Sequence, residues 1–145
     1  MFRKILLVCV GNICRSPTAE ILMRHMINRD DVEIASAGLK ALVDKPIDPT
    51  AQQLLLERGL DGTSHRARQV NPRLLVESDL ILAMEHRHLA SIGRDLPQVS
   101  GKLFLLGKWR DGCEIHDPHR QQRPAFEHVC GQIEDCVASW KRYIQ

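Results

Sequence analysis

A cysteine and an arginine with five residues between them lie near the start of the chain. They belong to segment 9–16, CVGNICRS, which follows an apolar run and precedes a segment of helical pattern. A loop between a strand and a helix can direct successive backbone N–H groups at one point, beside the positive end of the helix dipole. The sequence therefore predicts an anion site of phosphate size, in which the Cys9 sulfur and the Arg15 guanidinium face the same ligand.

The residue types of this segment suit phosphoryl transfer through a covalent intermediate. Cys9 would attack phosphorus as a thiolate, because helix N-termini and nearby cations stabilise that form of a cysteine. Arg15 can clamp two phosphate oxygens with its planar guanidinium, which a lysine could not reproduce. A serine can donate its hydroxyl to the sulfur, and an asparagine can hold the loop in a left-handed conformation. The predicted phosphate-binding residues are Val10, Gly11, Asn12, Ile13, Cys14 and Ser16.

A proton donor for the leaving group is expected from a distant part of the chain. Segment 107–123 is the longest stretch without hydrophobic periodicity, and long irregular loops of compact domains are often functional. It contains Asp117-Pro118, in which the proline stiffens the backbone that carries the carboxyl group. A positioned general acid typically contributes about 10²–10⁴-fold. We predict that Asp117 is this acid and that the reaction needs no metal or other cofactor.

Strand and helix patterns alternate along the chain. Four apolar runs are typical of strands of a parallel sheet: 4–10, 32–37, 79–84 and 102–106. Helical patterns occupy the segments 16–28, 49–58, 86–94 and from 124 onward. The first helix would begin with Ser16 as its N-cap and Pro17 at its first position. We predict an α/β fold, a three-layer sandwich with a central parallel sheet of about four strands, flanked by helices, and a phosphate-binding loop after the first strand.

The bulk composition restricts the class of protein. With 145 residues, 43% apolar and 26% charged, the chain fits a single globular domain over residues 1–145. A net charge of +2 does not indicate a nucleic-acid partner. No apolar stretch approaches the length that spans a membrane, and five irregularly spaced cysteines fit reduced thiols better than a disulfide framework. We expect a cytoplasmic monomer that neither binds nucleic acid nor inserts into a membrane.

Several motifs, taken in order, resemble the low-molecular-weight protein tyrosine phosphatases over essentially the whole chain. The N-terminal motif CVGNICRSPTAE is the most specific, because its loop, cap and proline match together. Shorter matches follow at 36–38 (SAG), 65–68 (HRAR), 79–85 (DLILAME) and 117–118 (DP). Segments 38–43 and 107–109 are similar to the bacterial branch found with capsule and exopolysaccharide operons. The resemblance implies hydrolysis of phosphotyrosine through a phosphocysteine, and it implies a partner, the membrane tyrosine autokinase that controls polymer export.

The resemblance also implies roles for individual residues. It assigns the nucleophile, the phosphate clamp and the general acid to Cys9, Arg15 and Asp117. Leu39 and Leu42 would line the cleft beside the substrate ring. His119 is a departure, since the family usually has tyrosine directly after the Asp-Pro pair. A smaller, titratable imidazole is expected to weaken stacking on the phenol without changing the reaction class.

Other interpretations of these residues are weaker. Arsenate reductases use a similar loop, but they need further thiols, and segment 79–96, where relatives carry them, has none. A module that binds phosphotyrosine without turnover would lack a nucleophile or an acid, and both are present. The histidines of 86–88 and 116–119 lack the spacing of a zinc site. On oxidation Cys14 could form a protective disulfide with Cys9, whereas no role is predicted for Cys113, Cys130 and Cys136.

Overall fold

The computed structural model describes residues 2–144, and a four-stranded parallel sheet forms its centre. The strands are β1 (Lys4–Cys9), β2 (Glu33–Gly38), β3 (Leu80–Ala83) and β4 (Leu103–Leu105), adjacent in the order β2-β1-β3-β4. In β1 every residue after Lys4 is buried, as its unbroken apolar sequence requires. The predicted α/β class with about four parallel strands is confirmed.

Helices cover both faces of the sheet. They are α1 (Arg15–Ile27), α2 (Pro49–Leu56), α3 (Pro72–Glu77), α4 (His86–Asp95) and α5 (Arg123–Ile144), with a 3₁₀-helix (Pro97–Lys102) before β4. Side chains of β1 alternate, so that Ile5 and Leu7 pack with α1 and α5, while Leu6 and Val8 pack with α3 and α4. None of the helices described within residues 2–144 has the length and apolar content to cross a bilayer.

The start of α1 and the presence of α3 differ from the prediction. The first helix begins at Arg15, with Cys14 rather than Ser16 as its N-cap. The Ser16 hydroxyl lies 2.9 Å from the Cys9 sulfur instead, so a group that could cap a helix is placed beside the predicted nucleophile. The patterns also do not predict α3, which Asn71 caps by accepting the N–H of Leu74. Six residues are too short to show helical periodicity, although an asparagine before a proline is a start signal.

The strand order determines where a ligand can bind. β2 lies on one side of β1, and β3 and β4 lie on the other. The connection from β1 to β2 therefore runs in the opposite direction to the connection from β3 to β4, which makes a topological switch point between β1 and β3. Segment 10–14 follows β1 at that edge, and Glu85 follows β3 at the same edge. Open α/β sheets bind ligands in the crevice outside such strand ends.

Candidate active site

The loop after β1 is held from outside through its carbonyl groups. Each carbonyl of residues 9 to 14 accepts one hydrogen bond, and the donors are the backbone N–H groups of Thr18, Leu39, Lys40, Leu42 and Asp48 and the imidazole of His65. In a planar trans peptide the next N–H points away from the carbonyl, so the amides of residues 10 to 15 are directed into the loop. Within residues 2–144, none of the N–H groups of residues 11–14 donates a hydrogen bond. An anion in the loop would meet convergent donors.

Asn12 determines the shape of this loop. It is fully buried and has a φ of 59°, in the left-handed region that asparagine tolerates. Its side-chain amide donates to the hydroxyls of Ser16 at 2.8 Å and Ser36 at 2.9 Å. Its side-chain oxygen accepts the backbone N–H of Arg68 at 2.9 Å. The strained conformation is thus supported by three hydrogen bonds to three separate segments.

Cys9 lies at the base of the loop, at the carboxyl end of β1. Its sulfur is 2.9 Å from the Ser16 hydroxyl, and the residue is 2% exposed. The same hydroxyl oxygen already accepts a hydrogen bond from Asn12, so its proton is available to the sulfur. A hydroxyl placed in this way stabilises negative charge on the sulfur, both before an attack and when the sulfur departs.

Arg15 is buried behind the loop and is oriented by two acceptors. Its Nη1 donates to a carboxylate oxygen of Glu85 at 2.6 Å and to the carbonyl of Ile115 at 2.8 Å. Burial raises the pKa of Glu85, but hydrogen bonds from Arg15 and Arg87 outweigh it and leave that pKa below its usual range. A charged carboxylate therefore fixes the guanidinium, whose Nη2 and Nε donate to no other group within residues 2–144. Glu85 is not among the predicted site residues, although it is the last residue of the motif at 79–85.

His88 packs against Glu85 as a neutral ring. Its Nδ1 accepts the backbone N–H of Glu85 at 3.2 Å, which leaves the ring proton on Nε2, 3.5 Å from the Glu85 carboxylate. Within residues 2–144 this Nε2 has no hydrogen-bond partner. Burial and the nearby charge of Arg15 lower the pKa of His88 to about 4. The ring adds no positive charge near neutral pH, so Arg15 remains the principal cation facing Glu85.

Asp117 reaches the cleft from the irregular segment between β4 and α5. Its carboxylate lies 3.9 Å from Nη2 of Arg15 and accepts the backbone N–H of His119 at 3.0 Å. The segment is attached near this point by Ile115, whose N–H donates to the carbonyl of Met84. The structure therefore brings Asp117 to the same cleft as Cys9 and Arg15, although it lies far from both in sequence.

The cleft has a volume of about 200 Å³ and lies over the loop. Segment 9–15 forms its floor, and Leu42, Asp117 and His119 stand around it, all of them predicted site residues. Two predicted residues do not line it. Ser16 lies beneath Cys9, and Leu39 packs with the apolar cluster on the other side of the sheet. The prediction for Leu39 is corrected because successive residues at the end of β2 face opposite sides.

Three further residues line the cleft and were not predicted: Lys40, Asp48 and Phe126. Phe126 has the spacing of a core position of α5 and is only 6% exposed, so nothing in the pattern separates it from its neighbours. Asp48 could have been identified as an N-cap before Pro49, because its carboxylate accepts the N–H groups of Thr50 and Ala51. Lys40 adds positive charge at the rim.

Cys14 is a second thiol on the loop, and its environment is unlike that of Cys9. Burial and the negative charge of Asp48 raise the pKa of Cys14 well above its ordinary value. Cys14 is therefore a neutral thiol near pH 7, not a competing nucleophile.

Among residues 2–144 no group of three or more His, Cys, Asp or Glu side chains is arranged to hold a metal ion.

Comparisons with known proteins identify the family. The family model for low molecular weight phosphotyrosine protein phosphatase matches residues 4–145. The chain is 46% identical to the protein-tyrosine-phosphatase Wzb of Salmonella typhimurium, over 97% of this chain and 93% of Wzb. Wzb of Escherichia coli K30 in complex with sulphate has a TM-score of 0.95 at 39% identity over 100% of both chains. Vibrio vulnificus Wzb in complex with benzylphosphonate has a TM-score of 0.94 at 36% identity, over 99% of this chain and 100% of that one. The chain therefore belongs to the low-molecular-weight protein tyrosine phosphatases, as the sequence resemblance predicted.

Proposed function

We propose that this tyrosine phosphatase works through a phosphocysteine formed on Cys9. The observation that carries the proposal is the loop over β1, in which every carbonyl from 9 to 14 is bonded outward, so that the amides converge above the Cys9 sulfur. A phosphate dianion in that position would be surrounded by backbone donors and by the free edge of Arg15. Preorganised donors of this kind stabilise the charge that develops on the equatorial oxygens during phosphoryl transfer.

In the first step the Cys9 thiolate attacks phosphorus and the bond from phosphorus to the phenolic oxygen breaks. Asp117, in its protonated form, gives its proton to that oxygen, so that tyrosine leaves as a neutral phenol. The carboxyl group lies 3.9 Å from Nη2 of Arg15, which places it beside the oxygens that Arg15 would clamp. The phosphoryl group remains on the Cys9 sulfur.

In the second step the Asp117 carboxylate accepts a proton from a water molecule as that water attacks phosphorus. The sulfur–phosphorus bond breaks, inorganic phosphate forms and Cys9 returns to the thiolate. Ser16 stabilises the departing sulfur, because its hydroxyl lies 2.9 Å from it. This double displacement uses only side chains and backbone amides of the chain together with water, and needs no cofactor.

The walls of the cleft support an aromatic phosphate as the substrate. Ile13, Leu42 and Phe126 provide apolar surface above the loop, and His119 provides a flat ring. A phenyl ring would bury its faces on such walls, whereas a phosphoserine side chain is too short to fill them. The Wzb relatives bind sulphate and benzylphosphonate, an oxyanion and an aromatic phosphate analogue.

The physiological partner that we propose is a membrane tyrosine autokinase of polysaccharide export, whose phosphorylated tyrosine-rich tail would be the substrate. The proposal follows from the resemblance to the capsule and exopolysaccharide branch. Exposed Leu42 and Val43 lie beside the cleft and offer apolar surface to an extended tail. With such a partner the phosphatase would act in the cytoplasm, as a monomer whose residues 1–145 form one catalytic domain.

Turnover of matched phosphopeptides tests this function. We expect rapid release of phosphate from a phosphotyrosine peptide and little from phosphoserine or phosphothreonine peptides of the same sequence. Cys9→Ser should lose turnover by at least about 10⁴-fold while still binding inorganic phosphate. Cys113→Ser is the matched control, because it removes a partly buried thiol that does not line the cleft and should retain activity. Comparable turnover of all three peptides, or substantial activity in Cys9→Ser, would refute the proposal.

A further inference from the structure

Two cysteines outside the active site meet in the folded chain. The sulfurs of Cys113 and Cys136 lie 3.7 Å apart, at the contact between the segment that carries Asp117 and helix α5. Cys113 is half-buried and Cys136 is 1% exposed, and both are free thiols. Neither residue lines the catalytic cleft. The proposed phosphatase mechanism does not use Cys113 or Cys136.

The position of the Cys113 side chain is restricted by its neighbour. Gly107 forms an antiparallel bridge with Cys113, and a Cβ atom on Gly107 would clash first with the carbonyl oxygen of Cys113 and then with its sulfur, at 2.7 Å. Only a glycine therefore fits against Cys113 at this position. This close contact restricts residue 113, whose sulfur lies 3.7 Å from that of Cys136.

A small oxidant can reach the pair from solvent. Both cysteines line an open cavity of about 500 Å³, together with Trp109, Arg110 and Gln132. The cavity shares no residue with the catalytic cleft. An accessible cysteine next to a second thiol is an arrangement in which peroxide oxidation can end in a disulfide.

We propose that Cys113 and Cys136 form a second oxidation site, which a hydroperoxide converts to a disulfide. This disulfide would join helix α5 to the acid-bearing segment, residues 106–122, which carries Asp117. In the first step the Cys113 thiolate attacks the terminal peroxide oxygen, the O–O bond breaks, and Cys113 becomes a sulfenic acid as hydroxide leaves from hydrogen peroxide, or an alkoxide from an organic hydroperoxide. In the second step the Cys136 sulfur attacks the sulfenic sulfur, and its proton leaves with the hydroxyl group as water. The two thiols lose two electrons, and the peroxide gains them.

The order of the two cysteines follows from their surroundings. Burial, together with the neighbouring Cys113, raises the pKa of Cys136 to about 12, so that Cys136 stays a thiol in the resting protein. The more exposed Cys113 meets the oxidant first. Cys136 then acts as the resolving thiol, since its sulfur is already in contact.

The disulfide would stabilise the chain without stopping catalysis. The sulfurs already touch, so that forming the bond needs little movement of Ile115 and Asp117, which follow Cys113. A cross-link between residues 113 and 136 restricts the unfolded chain and raises the unfolding temperature. Oxidation at this site thus has the opposite consequence to a disulfide between Cys9 and Cys14, which would remove the nucleophile.

Peroxide treatment of the Cys9→Ser protein tests the site directly, and it does not depend on the proposed phosphatase mechanism. The Cys9–Cys14 disulfide cannot form in this background. After oxidation and alkylation of the remaining thiols, tryptic peptides are analysed by mass spectrometry without reduction. Cys130 and Cys136 fall in one peptide, because no Lys or Arg separates them. Cys130→Ser is therefore the matched control, which must retain the link if Cys136 is the partner.

We expect a peptide that links Cys113 to Cys136, and an unfolding temperature about 5–10 °C higher that returns to its initial value with dithiothreitol. Cys136→Ser should show neither change. Wild-type protein oxidised with inorganic phosphate shielding its cleft should carry the link and retain its activity. The absence of this link, a link to Cys130 in its place, an unchanged unfolding temperature in the linked protein, or loss of activity in proportion to the link would overturn the proposal. Peptide mapping in Cys9→Ser decides the question even if Cys136→Ser does not fold.

Discussion

The two loops that meet at the cleft are built in opposite ways. The phosphate loop, residues 10–14, has its carbonyls bonded to surrounding segments, and Asn12 within it has no exposed surface. On the acid-bearing segment the Asp117 side chain is 43% exposed, and the N–H of His119, two residues away, is its only hydrogen-bond donor among residues 2–144. Binding of a dianion requires donors that do not reorganise, whereas proton transfer requires a carboxyl group that can follow the leaving oxygen. In the proposed mechanism the buried loop binds the dianion and the exposed Asp117 transfers the proton.

One buried side chain connects the two loops. Arg15 belongs to the helix that follows the phosphate loop, and its Nη1 donates to the carbonyl of Ile115, two residues before Asp117. The same Nη1 donates to Glu85 after β3. A single guanidinium therefore connects the helix after the phosphate loop, the acid-bearing segment and the edge of the sheet.

The largest expected effect of a loop substitution is on proton transfer. Asp117→Ala should slow aryl phosphates with poor leaving groups by about 10²–10⁴-fold, because the phenolate then departs without a proton. Activated esters, whose leaving groups need no proton, should lose much less in the first step. A series of substituted phenyl phosphates measures how kcat/KM, which reports the steps up to formation of the phosphoenzyme, depends on leaving-group pKa. Asp111→Asn on the same segment is the control, because it removes a carboxylate and asparagine tolerates the φ of 61° there. Equal losses of kcat/KM across the series would exclude Asp117 as the acid.

On the phosphate loop we expect a loss of stability as well as of activity. Asn12→Ala removes three side-chain hydrogen bonds and leaves an alanine with a φ of 59°, so the free energy of unfolding should fall by about 2–4 kcal/mol. Asn12→Gly removes the same bonds without the backbone strain and should be less destabilised. Urea unfolding compares the two variants. If the two variants lose the same free energy of unfolding, backbone strain at residue 12 does not contribute to the loss.

The neutral His88 predicts a pH dependence of stability. Its pKa of about 4 in the folded chain lies below the ordinary value near 6.5, so the unfolded chain binds more protons and stability falls as the pH drops. Between pH 7 and 5 the wild type should lose about 2 kcal/mol more than His88→Asn, since the other ionisable groups are common to both. Urea unfolding at the two pH values measures the difference. Parallel losses in both proteins would show that His88 is not held neutral.

The smallest effect is expected at the wall of the cleft. His119→Tyr enlarges the aromatic surface beside the substrate ring and should lower KM for an aryl phosphate by roughly two- to tenfold, with kcat nearly unchanged. The backbone N–H that bonds to Asp117 is retained in this variant. Phosphate inhibition should be unaffected, because phosphate has no ring to stack. An unchanged KM would mean that residue 119 does not contact the ring.

The sequence predicted the phosphate loop more completely than its surroundings. Residues 9–16 are contiguous, so their types and order indicate the loop and its position after a strand. Glu85 and Ile115 escaped prediction because their role depends on contacts with Arg15 that only the fold creates. Leu39 was misplaced for a related reason, since the side of the sheet that it faces depends on where β2 ends.

The cysteines also show that contacts between distant segments were not predicted from the sequence. Their irregular spacing suggested thiols without a role outside the loop, and nothing in the sequence pairs Cys113 with Cys136. The pair forms because helix α5 passes beside the acid-bearing segment. Proximity between distant segments follows from packing, which patterns of single residue types do not encode.

The central claim is that phosphate is bonded to the Cys9 sulfur during turnover. Asp117→Ala with an activated aryl phosphate should accumulate this intermediate, since the first step needs no acid and the second lacks its base. After rapid quenching, mass spectrometry of the peptide that follows Lys4 and ends at Arg15 should show one added phosphoryl group, assigned by fragmentation to Cys9 and not to Cys14. A phosphoryl group on any other residue, or turnover with no phosphoenzyme at any time, would contradict the account.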